Sequence, residues 1–520
     1  MKKYYLLSLL ALAPIANAEE QTVTNLYADV VLSDPNNILK PDISNASIYK
    51  VGSADGETFT GSVSATETTI NNLNLSYQID FVDDGSGGNA LNTKTAFSLT
   101  EDLTVNDINV NATLADGVWV SNMLVSSGGT TRKITARNLT ITSLSKTYNP
   151  WYYFNNVNIN LSGDLTVSLA ETGNKQAATR LGTSTLDWSV AGNVTLNSVR
   201  YSEFLIQASK ATIGGIVNLN VSNPTTDKSG LYFRGSGYKA TNVSIGGLTS
   251  TNLAVLGVQI ANAMDINLTF TNSEAYDVQT AFVNSIDNTT GKFNIIMNAS
   301  DVKGKQTLRF NYLGGGQISI AGIKTTDHNI NNVTVSNGTL VIGMYDGLHG
   351  DTLKIDGENA AFSSTSIYSG NVGNAYFSTI DFVKGTLVFD YSIDEGNDLI
   401  VVTDDLNTND SEGTFFVDSV ENTKFVLQSE NDIKSWLEEG EVLDALTILT
   451  FDSTNLTAED IANIKVDAGE GLNAILSAIE ENGNIIGIQA EITLAVPEPA
   501  TVAGIFGALA LAFAIYRRRK

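Results

Sequence analysis

Side chains suited to catalysis are scarce in this 520-residue chain, which has no cysteine and two histidines. His328 and His349 lie in loop-like stretches, and neither has the neighbouring ligands that a zinc site needs, such as an HExxH motif. No G-x-S-x-G nucleophile elbow is present, so a Ser–His–Asp hydrolase would lack its usual framework. We interpret both histidines as surface residues. The absence of cysteine also excludes disulfides and thiolate metal ligands.

An acidic stretch between Asp404 and Asp410 resembles the start of a calcium loop. Counted from Asp405, position six is Asp410, where an EF-hand needs glycine. Position twelve is Phe416, where an EF-hand needs glutamate. This departure excludes an EF-hand and leaves two alternatives, a weak calcium site of another kind and a solvated polar turn.

Carboxylates and basic residues could also support glycan cleavage. A glycosidase needs two carboxylates about 5–10 Å apart, but the chain has 56 acidic residues and its sequence singles out no pair. A polysaccharide lyase would need clustered basic residues. Arg132, Lys133 and Arg137 come closest, and a solvated face explains them equally well. We therefore predict no catalytic, cofactor-binding or metal-binding residue.

The first eighteen residues have the pattern of a secretory signal peptide. Lys2 and Lys3 precede an apolar run over residues 4–15, which is too short to span a bilayer but suits a signal-peptide core. Small residues at Ala16 and Ala18 match the requirements of signal peptidase. We predict cleavage between Ala18 and Glu19, and hence an exported protein.

The C-terminal end combines a short motif, an apolar segment and a basic cluster. Residues 501–516 are uncharged and apolar, and as a helix they would reach about 24 Å, a little less than the ~30 Å hydrocarbon core. Basic residues after this segment can snorkel and should remain cytoplasmic. The motif consists of Val496, Pro497, Glu498 and Pro499. The basic cluster consists of Arg517, Arg518, Arg519 and Lys520.

This order of Pro-Glu-Pro, apolar helix and arginine cluster, behind a signal peptide, resembles the PEP-CTERM sorting signal of Gram-negative bacteria. The resemblance covers residues 496–520 only. It implies processing by an exosortase-type membrane protease and transient anchoring in the inner membrane. It further implies delivery to the cell envelope, cell surface or extracellular matrix, often with an exopolysaccharide. It implies nothing about the activity of the body, and a plain tail anchor is the alternative.

The net charge of −26 restricts the partners of the body. Removing residues 1–18 and 497–520 deletes six basic residues and one acidic residue, which makes the charge −31. Such a domain repels phosphate backbones, so nucleic acid is a poor partner. It should also repel polyuronate chains, unless calcium bridges them.

Alternating apolar and polar residues predict short β-strands, for example at residues 157–161, 165–169, 217–222 and 266–270. One apolar residue per strand serves as a marker, and successive markers are separated by 22 to 29 residues. The markers are Leu139, Leu165, Val194, Val217, Val243, Ile266, Phe293, Ile318 and Leu340. This spacing is typical of stacked coils that share one core, in which asparagines can form ladders from coil to coil.

We therefore predict a mainly β fold, a right-handed parallel β-helix or solenoid, over residues 111–380. Residues 331–343 loosely resemble the coils of autotransporter passenger domains. A string of antiparallel sandwiches is the alternative, which the near-constant spacing disfavours. Residues 19–110 are less regular and are predicted to be an N-terminal β region or cap.

Residues 381–495 are predicted to be a small mixed α/β cap, followed by the sorting tail at 496–520 with a transmembrane helix at 501–516. Within the cap, helical spacing appears at residues 430–443, 457–464 and 472–481, with Thr457 as the N-cap of the second.

Together these features favour a non-enzymatic surface protein that is structural, adhesive or glycan-binding. Its expected partners are the sorting protease, the inner membrane through the tail, and extracellular polysaccharide or glycans. The alternative is a secreted polysaccharide-degrading enzyme on a β-helix scaffold.

Overall fold

The structure is a computed structural model, and it divides the chain into two compact units, residues 1–324 and 325–520. The residues described below are 20–25, 45–52, 61–63, 70–79, 95–99, 102–114, 122–126, 130–143, 152–169, 177–180, 186–198, 202–206, 208–221, 230–235, 241–251, 255–260, 266–271, 275–286, 292–310, 330–343, 350–364, 373–392, 396–404, 412–429, 437, 442–495 and 517. They are mostly β, and most strand pairs are parallel.

The first unit consists of parallel strands that recur along the chain. They are β1 (Glu20–Asn25), β2 (Asn45–Gly52), β3 (Gly61–Val63), β4 (Ile70–Ile79), β5 (Thr95–Leu99), β6 (Leu103–Leu114), β7 (Asn122–Ser126), β8 (Arg132–Ala136), β9 (Asn138–Ser143), β10 (Tyr152–Asn155), β11 (Val157–Leu161), β12 (Leu165–Leu169), β13 (Ala177–Arg180), β14 (Leu186–Val190), β15 (Val194–Ser198), β16 (Ser202–Ile206), β17 (Ala208–Val221), β18 (Gly230–Gly235), β19 (Thr241–Thr251), β20 (Val255–Ile260), β21 (Ile266–Phe270), β22 (Ala275–Ile286), β23 (Phe293–Asn298) and β24 (Lys305–Phe310).

These strands form three parallel ladders. Ladder I runs β8, β11, β14, β17, β19, β21, β23. Ladder II runs β1, β2, β4, β6, β9, β12, β15, β17, β19. Ladder III runs β3, β5, β7, β10, β13, β16, β18, β20, β22, β24. The long strands β17 and β19 turn a corner, so that each contributes its first half to ladder I and its second half to ladder II.

In the strands of ladders I and II whose side chains are described, alternate residues point into the core, which confirms the predicted alternation. Strand β11, for example, buries Val157, Ile159 and Leu161 while the residues between them remain half-exposed. In ladder II the inward residues stack in register, and each is essentially fully buried. These stacked residues are Ile108, Leu139, Leu165, Val194, Val217 and Leu248.

The marker spacing predicted part of this register correctly. Leu139, Leu165, Val194 and Val217 do lie at equivalent positions of successive ladder II strands. The next marker, Val243, is not equivalent, because Val217 pairs with Leu248 and Val243 belongs to ladder I. Asn218 contacts Thr249 on the next coil, which shows that this coil is 31 residues long. The 26-residue interval from Val217 to Val243 therefore joins a residue of ladder II to a residue of ladder I. Ile318 lies outside the described residues.

A buried glutamine side chain takes part in this hydrogen-bonding pattern. Gln306 is fully buried, and its Oε1 accepts from the Leu248 backbone N–H at 3.0 Å. Its Nε2 donates to the Leu248 carbonyl at 3.2 Å. The amide thus satisfies both backbone groups of Leu248, as a neighbouring strand would do.

The second unit contains longer strands. They are β25 (Ile330–Gly343), β26 (Gly350–Ser364), β27 (Asn374–Ser392), β28 (Gly396–Asn397), β29 (Leu399–Val402), β30 (Thr414–Val417), β31 (Thr423–Gln428), β32 (Val442–Phe451), β33 (Ser453–Thr454), β34 (Lys465–Asp467), β35 (Leu472–Glu481) and β36 (Asn484–Leu494), with helix α1 (Ala458–Asn463) and a 3-10 turn at Val420–Asn422.

Parallel pairing continues through most of the second unit. Strands β25, β26 and β27 pair in order, and β27 then pairs with β29, β30 and β31 in succession. The predicted boundary at residue 381 falls inside β27, so the regular pairing extends beyond it. Edge-to-face and stacked phenylalanine pairs fill the core, for example Phe362 with Phe377 at 5.7 Å and Phe415 with Phe451 at 5.5 Å between ring centroids.

The C-terminal part of the second unit corrects the predicted mixed α/β cap. Helix α1 is confirmed, with Thr457 and Asp460 forming a reciprocal capping box. Residues 472–481 are strand β35 and not a helix, so that part of the prediction was wrong. Most of residues 430–443 lie outside the described residues, and the end of that stretch begins β32. The cap is thus mostly β, with a single α-helix of six residues in its described part.

The error at residues 472–481 has a physical cause. Asn482 and Gly483 adopt positive φ values of 53° and 81°, which suit the tight turn of a β-hairpin between β35 and β36. The apolar residues of this run fit helical spacing, but they fit alternation as well, with Leu476 buried and Ile475 64% exposed. The Asn-Gly dipeptide decides between the two patterns. Strand β36 then pairs antiparallel with β32 as well.

The ends of the chain remain predictions. The signal peptide and the apolar segment 501–516 lie outside the described residues. In the part of the chain that is described, no helix has the length and hydrophobicity to cross a bilayer.

Replacing Gln306 by leucine should destabilise the protein by about 2–6 kcal/mol, because two buried backbone groups of Leu248 would each lose a partner at about 1–3 kcal/mol. The free energy of unfolding in urea measures this cost. Gln489→Leu is the control, since the Gln489 amide is half-buried and its hydrogen bond to Ser477 joins two side chains. Equal effects of the two substitutions would contradict the role assigned to Gln306.

Candidate functional site

Most sequence-predicted site residues lie outside the described part of the chain. These are His328, His349, Asp405–Asp410, Ala18, Glu19, Val496, Pro497, Glu498, Pro499, Arg518, Arg519 and Lys520. Arg517 is described and exposed. Asp404 is also exposed, and its Oδ1 accepts from the backbone N–H of Glu412 at 2.9 Å. Phe416 lies in strand β30 and is 42% exposed.

Within the basic cluster at residues 132–137, the side chain of Arg137 is committed to contacts within the fold. The guanidinium of Arg137 donates to both carboxylate oxygens of Asp107, with Nε at 3.1 Å from Oδ1. The Asn138 amide donates to the same carboxylate at 2.9 Å. The Arg137 hydrogen bond lowers the pKa of Asp107, aided by Asn138 and opposed by partial burial. Arg137 therefore links successive coils and is not a free lyase-type base.

A row of side-chain oxygens lies at the corner between ladders I and II, and we call it the Asx corner. Asn138 Oδ1 accepts from the N–H of Asp164, Asp164 Oδ1 from that of Asn193, and Asn193 Oδ1 from that of Ile216. The distances are 2.9, 2.7 and 2.8 Å. Each coil thereby caps a backbone N–H group of the next coil, where a change of direction interrupts the regular strand pairing.

Glycines make the Asx corner sterically possible. Gly163, Gly192 and Gly215 sit directly against the Asx oxygen of the preceding coil, and a Cβ on any of them would clash with that oxygen. It would also meet the backbone of the preceding coil, for instance the Gly163 carbonyl carbon at 2.8 Å from a Cβ on residue 192. Sequence reasoning missed this feature. The signal was present in the Gly-Asp and Gly-Asn pairs at 163–164 and 192–193, which precede equivalent strands.

Beyond the Asx corner, the described outward residues of ladder II from β6 to β19 have small uncharged side chains, and we call them the neutral face. Its amides and hydroxyls are bonded from coil to coil, for example Asn220 Nδ2 to Asn197 Oδ1 at 3.0 Å and Thr249 Oγ1 to Asn218 Oδ1 at 2.7 Å. All the members are half-buried. They are Asn109, Thr140, Thr142, Thr166, Ser168, Thr195, Asn197, Asn218, Asn220 and Thr249.

The outward side of ladder I differs in charge. It carries Lys133, Asp187 and Lys210 in one row. The same row continues as an asparagine ladder, in which the amides of Asn267 and Asn294 each donate to the preceding asparagine at 2.9 and 2.8 Å. The sequence-based expectation that asparagines stack between coils is therefore confirmed on both faces.

The most perturbed carboxyl group is Asp398 in the second unit. It is 1% exposed, and its Oδ1 and Oδ2 accept from the backbone N–H groups of Gly373 at 2.5 Å and Asp390 at 3.2 Å. Burial raises the pKa of Asp398 to about 7, opposed by the Gly373 hydrogen bond and assisted by the charge of Asp390. A raised pKa is typical of a general acid. However, both oxygens are engaged and buried, so we assign Asp398 to joining the two ends of β27 and not to catalysis.

The acidic residues do not assemble into an ion site where the chain is described: no group of three or more His, Cys, Asp or Glu side chains is placed to hold a metal ion. The calcium alternative for residues 405–410 falls outside that part. Ladders I and II of the first unit offer outward rows of repeated side chains.

Comparison with known protein families and with curated proteins found no match to this chain.

Gly192→Ala should destabilise the protein by about 1–3 kcal/mol, because the added methyl group has no space between two coils. Unfolding in urea provides the measurement. Ser162→Ala is the matched control, since Ser162 lies in the preceding corner with its side chain exposed. If the two substitutions had equal effects, close packing at the Asx corner would not be the reason for glycine.

The stability of the second unit should depend on pH through Asp398. The carboxyl has its ordinary pKa near 3.8 in the unfolded chain and about 7 in the folded chain, so the folded state holds the proton more tightly. The contribution of Asp398 to stability is therefore greatest below about pH 4 and declines as pH rises toward 7, by up to about 1.4 kcal/mol per pH unit.

Asp398→Asn removes this titration. The difference in unfolding free energy between wild type and Asp398→Asn, measured across pH 4–8, isolates the group from the other carboxylates. A difference that stays constant over this range would show that Asp398 titrates normally.

Proposed function

We propose that this chain is an exported Gram-negative surface or matrix protein whose body is a right-handed parallel β-solenoid with an adhesive, glycan-binding role. The observation that carries the proposal is the in-register stacking of parallel strands with coil-to-coil polar rows on the outside. Such a body presents the same chemical groups repeatedly, which suits a repeating ligand and does not suit a single reaction centre.

The predicted ends of the chain support the location. A signal peptide at residues 1–18 would export the chain. The resemblance of residues 496–520 to a PEP-CTERM signal supports recognition by an exosortase-type protease and a transient stay in the inner membrane. Association with an exopolysaccharide at the cell surface follows from the same resemblance.

Replacing Pro497, Glu498 and Pro499 by alanine should trap the protein in the membrane fraction with an uncut C-terminus, because the sorting protease would no longer recognise it. Intact mass and cell fractionation measure both effects. Glu491→Ala, an exposed change in β36, serves as the control and should leave sorting intact. An uncut wild-type protein in the inner membrane would make residues 501–516 a plain anchor.

The native protein should bind a subset of glycans on an array of host-type and bacterial polysaccharides, because its outward rows offer many hydroxyl and amide groups. Denatured protein is the control for nonspecific retention. A blank array would remove glycan binding and leave a purely structural role.

A further inference from the structure

We propose that the neutral face binds an uncharged polysaccharide chain. This proposal rests on the glycan-binding role proposed above and assigns it to one surface and one class of ligand. The face lies on ladder II of the first unit and is formed by the ten outward residues named above, from strands β6, β9, β12, β15, β17 and β19.

The charge distribution selects an uncharged ligand. The chain carries a net charge of −26, yet no member of the neutral face is charged. The charged residues at its border, Asp107 and Arg137, are paired with each other. An acidic polysaccharide would be repelled by the surrounding protein, and none of the ten members of the face would offer it a cation. Hydroxyl and amide groups both donate and accept hydrogen bonds, as sugar hydroxyl groups do. A neutral, hydroxyl-rich chain is therefore the ligand whose chemistry matches.

The geometry provides a regular array. Neighbouring strands in a sheet are about 4.8 Å apart, and alternate residues along a strand are about 6.6 Å apart. Bonds between coils hold the side chains in place, such as Asn197 Nδ2 to Ser168 Oγ at 3.1 Å and Asn218 Nδ2 to Thr195 Oγ1 at 3.4 Å. Because these side chains are already ordered, a ligand that contacts them loses less conformational entropy on binding.

The area of the face argues for a polymer and against a second protein. Six strands at about 4.8 Å, each contributing about five residues at about 3.3 Å, cover roughly 500 Å². A stable protein–protein interface needs about 800 Å² on each partner. The described members of the face include no aromatic residue on which a sugar ring could stack. Contacts are then individually weak, and a long chain gains affinity by making many of them.

Affinity electrophoresis of the full-length protein tests this proposal. Native gels contain hydroxyethyl cellulose, xyloglucan, galactomannan or dextran as uncharged polymers, and polygalacturonate as the acidic one. The test variant combines Thr140→Val, Thr166→Val and Thr195→Val, which remove three hydroxyl groups from the neutral face but keep the branched shape of each side chain. The control variant combines Thr135→Val, Thr212→Val and Thr269→Val, which lie at equivalent outward positions of ladder I.

We expect at least one uncharged polymer to retard the wild type and the control variant. The test variant should bind at least tenfold more weakly, because each lost hydrogen bond is worth about threefold or more in affinity. Equal binding by both variants, or an equal loss in both, would overturn the assignment to the neutral face while leaving glycan binding intact. Retardation by polygalacturonate alone would overturn the inference from charge.

Two further results complete the test. No retardation by any polymer would overturn this proposal, and a blank glycan array alongside it would overturn the glycan-binding role as well.

Thermal unfolding checks that both variants are folded. Should the test variant fail to fold, hydrogen exchange of the wild type with and without the retarding polymer decides the matter. Protection must then appear in strands β9, β12 and β15 more than in β8, β11 and β14, and the reverse pattern would contradict the proposal.

Discussion

The fold depends on the direction of its backbone hydrogen bonds. In a parallel strand the N–H and C=O groups point sideways to the neighbouring strands, which here belong to the preceding and following coils. No coil can satisfy these groups alone, so each one is stable only in the stack. At some positions where regular pairing is interrupted, a side chain bonds the backbone group instead. Asn138, Asp164 and Asn193 do so at the corner, and Gln306 does so beside Leu248.

The mainly β, parallel character of the chain was predictable because alternation and repeat spacing both follow from this constraint. The spacing predicted the register correctly from Leu139 to Val217 but wrongly at Val243. An apolar residue one coil length further along the sequence does not reveal which ladder it belongs to. Helix α1 was predictable from its capping box. Strand β35 was not recovered, because its apolar residues fit two periodicities and the Asn482–Gly483 turn was overlooked.

The candidate surface was less accessible to sequence reasoning than the fold. Small polar residues between apolar ones indicate an exposed side, but they do not reveal that Asn197 lies above Ser168 or that one face lacks charge while the other carries Asp187 and Lys210. These contacts and charge patterns can be identified only when the pairing register of the strands is known. Likewise, Asp398 is one of many acidic residues in the sequence, and its buried contacts with Gly373 and Asp390 depend on where β27 begins and ends.

The Asx corner has a mechanical consequence for the first unit. Its hydrogen bonds run from coil to coil in the same direction as those of the ladders, so a pulling force along the stack would load all the bonds at one coil boundary together. The coil boundaries lie in series, so each of them would carry the same force at the same time. The weakest boundary would separate first. Each Gly–Asx pair adds a side-chain bond at a boundary where direct strand pairing is interrupted, which evens out the tensile strength of the stack.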